Sequence, residues 1–472
     1  MPNLSVLSER YATDEINDIF SERGKILLER ELWIAVLKAQ RDSGLNIPAE
    51  AIDAYERAKE NIDLNAIKEI EKKTRHDVKA RIEAFNKVAG YELIHLGMTS
   101  RDLTDNVEQM QIRKASKIIF GKYVSVLRHL VEKAQSYDSI VLTAKTHHQA
   151  AQLTLLGRRF AMWAEELHEH LVDFERVIED YPLRGIKGPV GTQFDMLVLL
   201  GSKEKVNRLE CKIAEHLGFR IVMDAPGQIY PRSLDFEFIS HLALLSAACE
   251  NFANEMRLMS GQGFVTEGFK EGQVGSSSMP HKMNTRSSER ICGFCNLLKM
   301  YADGASRLSG NQWEEGDVSD SVVRRVIIQD AIYVSDGLCE TILTVLNEMK
   351  VYPAVIDAEV DKYLPLLATT ELLDAAIKKG MNREKAYELI KKYAIEEVLR
   401  MRETGSSENN LAKLLGSDPE SPLKEDEIRR MLEDRMHFVG NAREQIYSVK
   451  EKASGLIGKY PAEASYEPKP IL

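Results

Sequence analysis

Seven apolar residues, Phe238, Leu242, Leu245, Cys249, Phe252, Met256 and Met259, follow one another in steps of four and three. An α-helix turns once in about 3.6 residues, so this spacing puts all seven on one stripe. A stripe sustained for about six turns is the pattern of a helix packed in a long bundle. Residues 105–179 and 329–349 have the same long helical character, the first stretch broken near 136–139. Alternation of Val, Ile and Thr of the strand kind is sparse. The expected architecture is all-α with a central helical bundle. Helices this long and apolar on one side need cover from further subunits, so oligomerisation is expected as well.

Three zones follow from the breaks. Residues 1–104 contain short helices separated by Gly24, the stretch 44–48 and Gly90. Residues 105–351 carry the long apolar helices, and Tyr352-Pro353 closes that zone. Residues 352–472 hold shorter capped helices, with Gly380 placed to end one and Asn382 to cap the next. The tail 461–472 contains three Pro and is expected to run extended.

Composition narrows the function. With 44% apolar and 29% charged residues the chain is of ordinary globular type. It has neither a basic-then-apolar leader nor an apolar run approaching the roughly 18 residues of a membrane span, so a cytoplasmic protein is expected. A net charge of −10 argues against a general nucleic-acid binder, while a local basic pocket remains open to small anions. Five scattered Cys suit reduced thiols, and Cys292-Gly-Phe-Cys295 lacks a second pair and lies in an apolar run, a structural setting.

Residues 275–284 read Gly-Ser-Ser-Ser-Met-Pro-His-Lys-Met-Asn. Gly and Pro make this a loop, and its hydroxyls, backbone N–H groups and one ammonium suit an anionic ligand. Thr99 precedes a long helical pattern and can cap it, with Asp102 placed like the acid of a capping box. Such a helix start, with hydroxyls on Thr99 and Ser100, is also an anion site. His147, in Thr146-His147-His148-Gln149 close to an expected helix start, can exchange a proton near neutral pH. The Gly-rich stretch 185–193 lacks the spacing of a nucleoside-triphosphate loop.

The 275–284 loop resembles the GSSxMPxKxN signature of the fumarase/aspartase superfamily, and His281 before the Lys resembles its adenylosuccinate lyase branch. Five further segments resemble that branch in matching order along the chain. The resemblance implies Ser276 as catalytic base, stabilised as its alkoxide by loop N–H groups and Lys282. It implies His147 as general acid and Glu289 as the carboxylate that holds its tautomer. Lys282 and Asn284 become ligands for the succinyl carboxylates, and Arg290, Thr99, Ser100 and Gln193 substrate contacts. Arg10 and Tyr11, with Arg75, His76 and Asp77, match the nucleotide-phosphate residues of the branch, and Ser321 and Arg325 match phosphate or carboxylate ligands.

The sequence also departs from the pattern. Gly316 stands where the branch carries an Arg that contacts the nucleotide, Thr285 where a Pro is usual, and Lys145 where an Arg precedes Thr-His.

The implied activity is C–N bond cleavage by β-elimination, releasing fumarate from adenylosuccinate and from succinylaminoimidazole carboxamide ribotide. No metal and no organic cofactor is implied. The partners implied are an anionic nucleotide substrate and three further copies of the chain, a homotetramer with sites shared among subunits, with no nucleic acid and no membrane. A sister lyase acting on argininosuccinate or aspartate, or a cycloisomerase, is the nearer alternative, opposed by the phosphate-type residues Arg10, Tyr11, Arg75, His76 and Asp77. A silent helical scaffold is the more distant one, opposed by the joint retention of His147, Ser276, Lys282 and Glu289.

Overall fold

The computed structural model describes residues 5–268, 279 and 281–469. Short helices come first: α1 (Val6–Arg10), α2 (Asp14–Phe20), α3 (Glu22–Asp42), α4 (Ala49–Ala58), α5 (Leu64–Thr74) and α6 (Asp77–Ala89). Gly90, at φ 77°, ends α6 as a left-handed cap. Gly24 is no breaker, contrary to expectation. It lies inside α3, where an added Cβ would sit 1.8 Å from the Asp18 carbonyl oxygen, so the close approach of two helix ends requires it.

The bundle begins with α7 (Ser100–Ser136), whose 37 residues span about 55 Å. The expected helix through 105–179 is interrupted by more than a kink. After α7 the chain forms an antiparallel hairpin of β1 (Val141–Thr146) and β2 (Gln149–Leu155) before α8 (Leu156–Glu179) runs back. Two short helices, α9 (Phe194–Leu200) and α10 (Lys203–Leu217), lead to α11 (Ser233–Gly261). All seven residues of the heptad stripe on α11 are buried, and Phe252 meets Trp163 of α8 edge-on at 5.2 Å. After β3 (Val265–Thr266), α12 (Arg286–Leu308) runs down and α13 (Ser321–Glu348) runs up, and β4 (Lys350–Val351) pairs with β3. The helices α7, α11 and α13 therefore start at one end of the bundle, while β3, β4 and the β1–β2 hairpin sit at the other.

The remaining helices are α14 (Pro353–Leu367), α15 (Thr369–Lys378), α16 (Arg383–Thr404), α17 (Leu411–Ser417), α18 (Glu425–Met431), α19 (Ala442–Lys459) and α20 (Pro461–Ala464). Gly380 follows the end of α15, and the Asn382 side chain accepts the Glu384 N–H at 3.0 Å to start α16. A separate small core forms here around Leu372, Ile390, Leu411, Leu415 and Ile428. By contrast α19 returns to the bundle, burying Ile446, Ala453 and Leu456 in the main core against α7 and α8.

The tail is not extended from Pro461. Pro461 opens the single turn of α20, a position where its missing N–H costs nothing. Beyond it the backbone is fastened along α7: Arg128 donates to the Ala464 carbonyl at 2.6 Å and Ser125 to the Tyr466 carbonyl at 2.8 Å. Beneath this strap lies a buried ion cluster. Lys122 of α7 pairs with Asp336 and, at 2.7 Å, with Glu340 of α13, while Glu340 accepts from the Tyr466 hydroxyl and, at 2.6 Å, the Lys469 N–H. Asp336 also accepts the Thr13 N–H at 2.6 Å, so one cluster ties together the N-terminal segment, the bundle and the tail.

Candidate functional site

Three helix starts converge at the lower end of the bundle, and each brings an acid: Asp102 on α7, Asp235 on α11 and Asp320 as the N-cap residue of α13. Carboxylates suit the positive end of a helix dipole. Here each is also paired with a buried arginine, Asp102 with Arg184 at 2.6 Å, Asp235 with Arg324 at 2.7 Å and Asp320 with Arg232. Burial works against the charge of Arg324, but Tyr230, Asp235 and Glu108 outweigh it and hold the guanidinium protonated. The same burial drives the Tyr230 hydroxyl, which accepts from Arg324, well above its usual pKa. Pairs of this kind hold the helix starts in register, because removing one partner leaves an uncompensated charge at a cost of about 3–5 kcal/mol.

Asp102 also organises the loop above it. One oxygen accepts the Thr99 N–H at 2.8 Å, completing the capping box, and the other accepts the N–H groups of Lys187 at 2.8 Å and Gly188 at 3.0 Å. This pins the Gly-rich stretch 185–193 to the start of α7. Gln193 is half-buried at its end with φ 58°, and its amide donates to the Ile186 carbonyl at 3.2 Å, so part of its side chain is committed to closing the loop.

A cleft of about 510 Å³ opens between these helix starts and the N-terminal helices, within the roughly 300–1,000 Å³ typical of small-molecule sites. Four of the residues singled out by sequence line it: Asp77, Ser100, Ser321 and Arg325. Arg75 and His76 immediately precede Asp77. Arg75 has φ 51° as the left-handed cap of α5, and His76 caps α6 by accepting the Lys79 N–H at 3.3 Å. All three are exposed. Three cations that sequence reasoning did not single out, Lys25, Arg101 and Arg324, also line the cleft. Arg101 had a readable signal, a basic residue in the first turn of a helix with an acid, Asp105, four positions on.

The other candidates lie elsewhere in the chain. Tyr11 packs midway along the bundle, edge-on to Phe294 at 5.0 Å, with the Arg290 guanidinium 5.6 Å from its ring centroid. Arg10, beside it, is exposed at the end of α1. Glu289, exposed, and Arg290 fall in the first turn of α12, whose start is capped by the Glu267 carboxylate accepting the Ser287 N–H at 3.0 Å. Lys282 is exposed and Asn284 half-buried on the approach to that helix. Ser276 and the rest of the signature loop up to Ser278 lie outside the described residues.

His147 is not near a helix start. With His148 it forms the two-residue tip of the β1–β2 hairpin, at φ 53° and 58°, and both are exposed. Positive φ at both positions is what a tight hairpin turn demands, and for residues with a Cβ it carries strain. The hairpin is fixed close to its tip by Lys145, which pairs with Glu359 of α14 at 2.5 Å. Among the described residues no hydrogen bond joins His147 to Glu289.

These separations are set by the helices. From Ser321 to Gly337, against which Tyr11 packs, α13 rises about 24 Å, and to its end near the hairpin about 40 Å. The candidate residues thus fall in three places along the bundle, and His147 lies away from the cleft.

Residues 9–297 match a family described as lyase, and residues 365–449 match adenylosuccinate lyase C-terminus. Adenylosuccinate lyase from Saccharomyces cerevisiae is 32% identical, the match covering 94% of this chain and 93% of that protein. Adenylosuccinate lyase from Schizosaccharomyces pombe is 33% identical with the same coverage. This chain belongs to the adenylosuccinate lyase family. Its fold is shared by solved structures of much lower identity. The 3-carboxy-cis,cis-muconate lactonizing enzyme from Pseudomonas putida superposes with a TM-score of 0.82 at 20% identity, covering 96% of this chain and 99% of that one. Gly316 has φ 133°, and an added Cβ would lie 2.7 Å from Ile229, so a residue with a side chain does not fit the local backbone there.

Proposed function

We propose that the chain is a C–N lyase that cleaves adenylosuccinate to AMP and fumarate, and succinylaminoimidazole carboxamide ribotide likewise. The observation that carries this reading is a match to adenylosuccinate lyases along 94% of the chain. The cleft at Ser321 and Arg325 supports it, since a hydroxyl, guanidinium groups and converging helix N-termini suit a phosphate monoester.

In the proposed reaction Ser276 takes a proton from the carbon beside a succinyl carboxylate. Lys282 and Asn284 hold the carboxylates and stabilise the charge that accumulates there. The carbon–nitrogen bond then breaks, and His147 delivers a proton to the departing nitrogen, with Glu289 orienting its ring. Since about 40 Å of helix separates the His147 hairpin from the Ser321 cleft, a complete site requires several copies. A homotetramer, each site taking residues from three subunits, meets that requirement.

The test is fumarate release by the purified protein from adenylosuccinate, argininosuccinate and aspartate. Release from adenylosuccinate is expected, and release only from another substrate would defeat the assignment. Ser276→Ala and His147→Ala should each lower turnover by about 10²–10⁴-fold, the ordinary worth of general acid–base groups. Unchanged turnover in either would defeat the roles.

A further inference from the structure

Arg101 is the second residue of α7, in a helical first turn whose unpaired N–H groups already present positive charge. Local physics disfavours a cation there, so its place needs another source of stabilisation. Asp105, fully buried one turn on, supplies part of it, its carboxylate 3.1 Å from one guanidinium nitrogen. The other terminal nitrogen reaches across to α13 and donates to the Ser321 hydroxyl at 3.4 Å. The side chain is 17% exposed, and what it exposes faces the same cleft as Ser100, Ser321 and Arg325.

Position 316, which the resemblance pairs with a nucleotide-contacting arginine, is a glycine. Gly316 lies on a backbone shut in by Ile229, and the neighbouring Glu315 carbonyl is held by the Gln228 N–H at 2.8 Å. We propose that Arg101 is a ligand for the phosphate of the nucleotide substrate, its guanidinium brought to the cleft by the first turn of α7. The proposal rests on the nucleotide reading above. Asp105 and Ser321 fix the plane of the fork, and its remaining N–H donors are free to meet an oxyanion bound at the Ser321 hydroxyl.

Calorimetric titration of the full chain with AMP, adenosine and fumarate tests this without turnover. Arg101→Gln should weaken AMP about tenfold or more, the worth of one charge-assisted hydrogen bond, and change adenosine much less. Arg101→Lys, which keeps the charge without the fork, should recover part of the loss, and it carries the test if the Gln variant melts early. Equal losses for AMP and adenosine, or an unchanged AMP affinity, would overturn the proposal. A loss confined to fumarate would make Arg101 a carboxylate ligand and overturn it too. Wild-type protein that binds neither AMP nor adenosine would defeat the nucleotide reading beneath it.

Discussion

His95 shows how far a residue's chemistry depends on partners distant in sequence. It sits at φ 67° just before Thr99, and its Nδ1 accepts the Trp33 indole N–H at 3.1 Å across 62 positions. That bond assigns the tautomer: Nδ1 is bare and Nε2 carries the proton. Burial, opposed by Asp102 and aided by His76, holds the ring below its ordinary pKa of 6.5. The folded state therefore stays neutral where the unfolded chain takes up a proton, so this contribution is present above about pH 6.5 and is lost as pH falls through the folded value. Thermal melts at pH 7.5 and 5.5 should show a smaller acid loss for His95→Asn, which tolerates positive φ, than for wild type; equal losses would sink the idea. The helix start at Thr99 was legible in the sequence and the Trp33–His95 pair was not, because nothing in a linear string marks an indole as the partner of that imidazole.

Among the elements, α11 was the most legible, because seven apolar side chains share one heptad stripe and all become buried. The β1–β2 hairpin was the least. Its burial alternates poorly along either strand, and its turn is His147-His148 rather than Asn-Gly, so the usual signals were missing. The midpoint of α13 carries a constraint of another kind. Gly337 lies inside a helix, where Ala would ordinarily gain about 1 kcal/mol, yet its Cβ would come 2.8 Å from the Tyr11 Cβ. That neighbour is close to backbone and cannot swing aside. Gly337→Ala should therefore destabilise by about 1–3 kcal/mol despite the better propensity, and should shift the Tyr11–Arg290 contact. Urea unfolding reads the first effect, and a variant as stable as wild type would contradict it.

For the molecule as a whole, residues proposed to act together lie at opposite ends of a bundle, and this proposal has a direct test. His147→Gln and Arg325→Gln proteins, each weakly active alone, should regain activity when unfolded, mixed in equal amounts and refolded. With His147 and Arg325 of each site coming from different copies, about a quarter of the sites would hold neither substitution. A mixture no more active than its components would argue against shared sites. The motif order along the chain was readable from sequence, but the distances between motifs were not, since they depend on helices whose directions only packing decides.

The strap over Lys122 has a consequence for how the chain is made. A ribosome adds roughly 5–20 residues each second, and Ser125 and the Tyr466 carbonyl it binds are 341 positions apart. For roughly 20–70 s of synthesis, then, α7 is complete while the segment that covers it does not yet exist. Glu340, by then able to pair with Lys122, still waits for the Tyr466 hydroxyl and the Lys469 N–H. The nascent bundle cannot be sealed in the order in which it emerges, and the buried Glu340 finds its last partners only once residues 466–469 have been added.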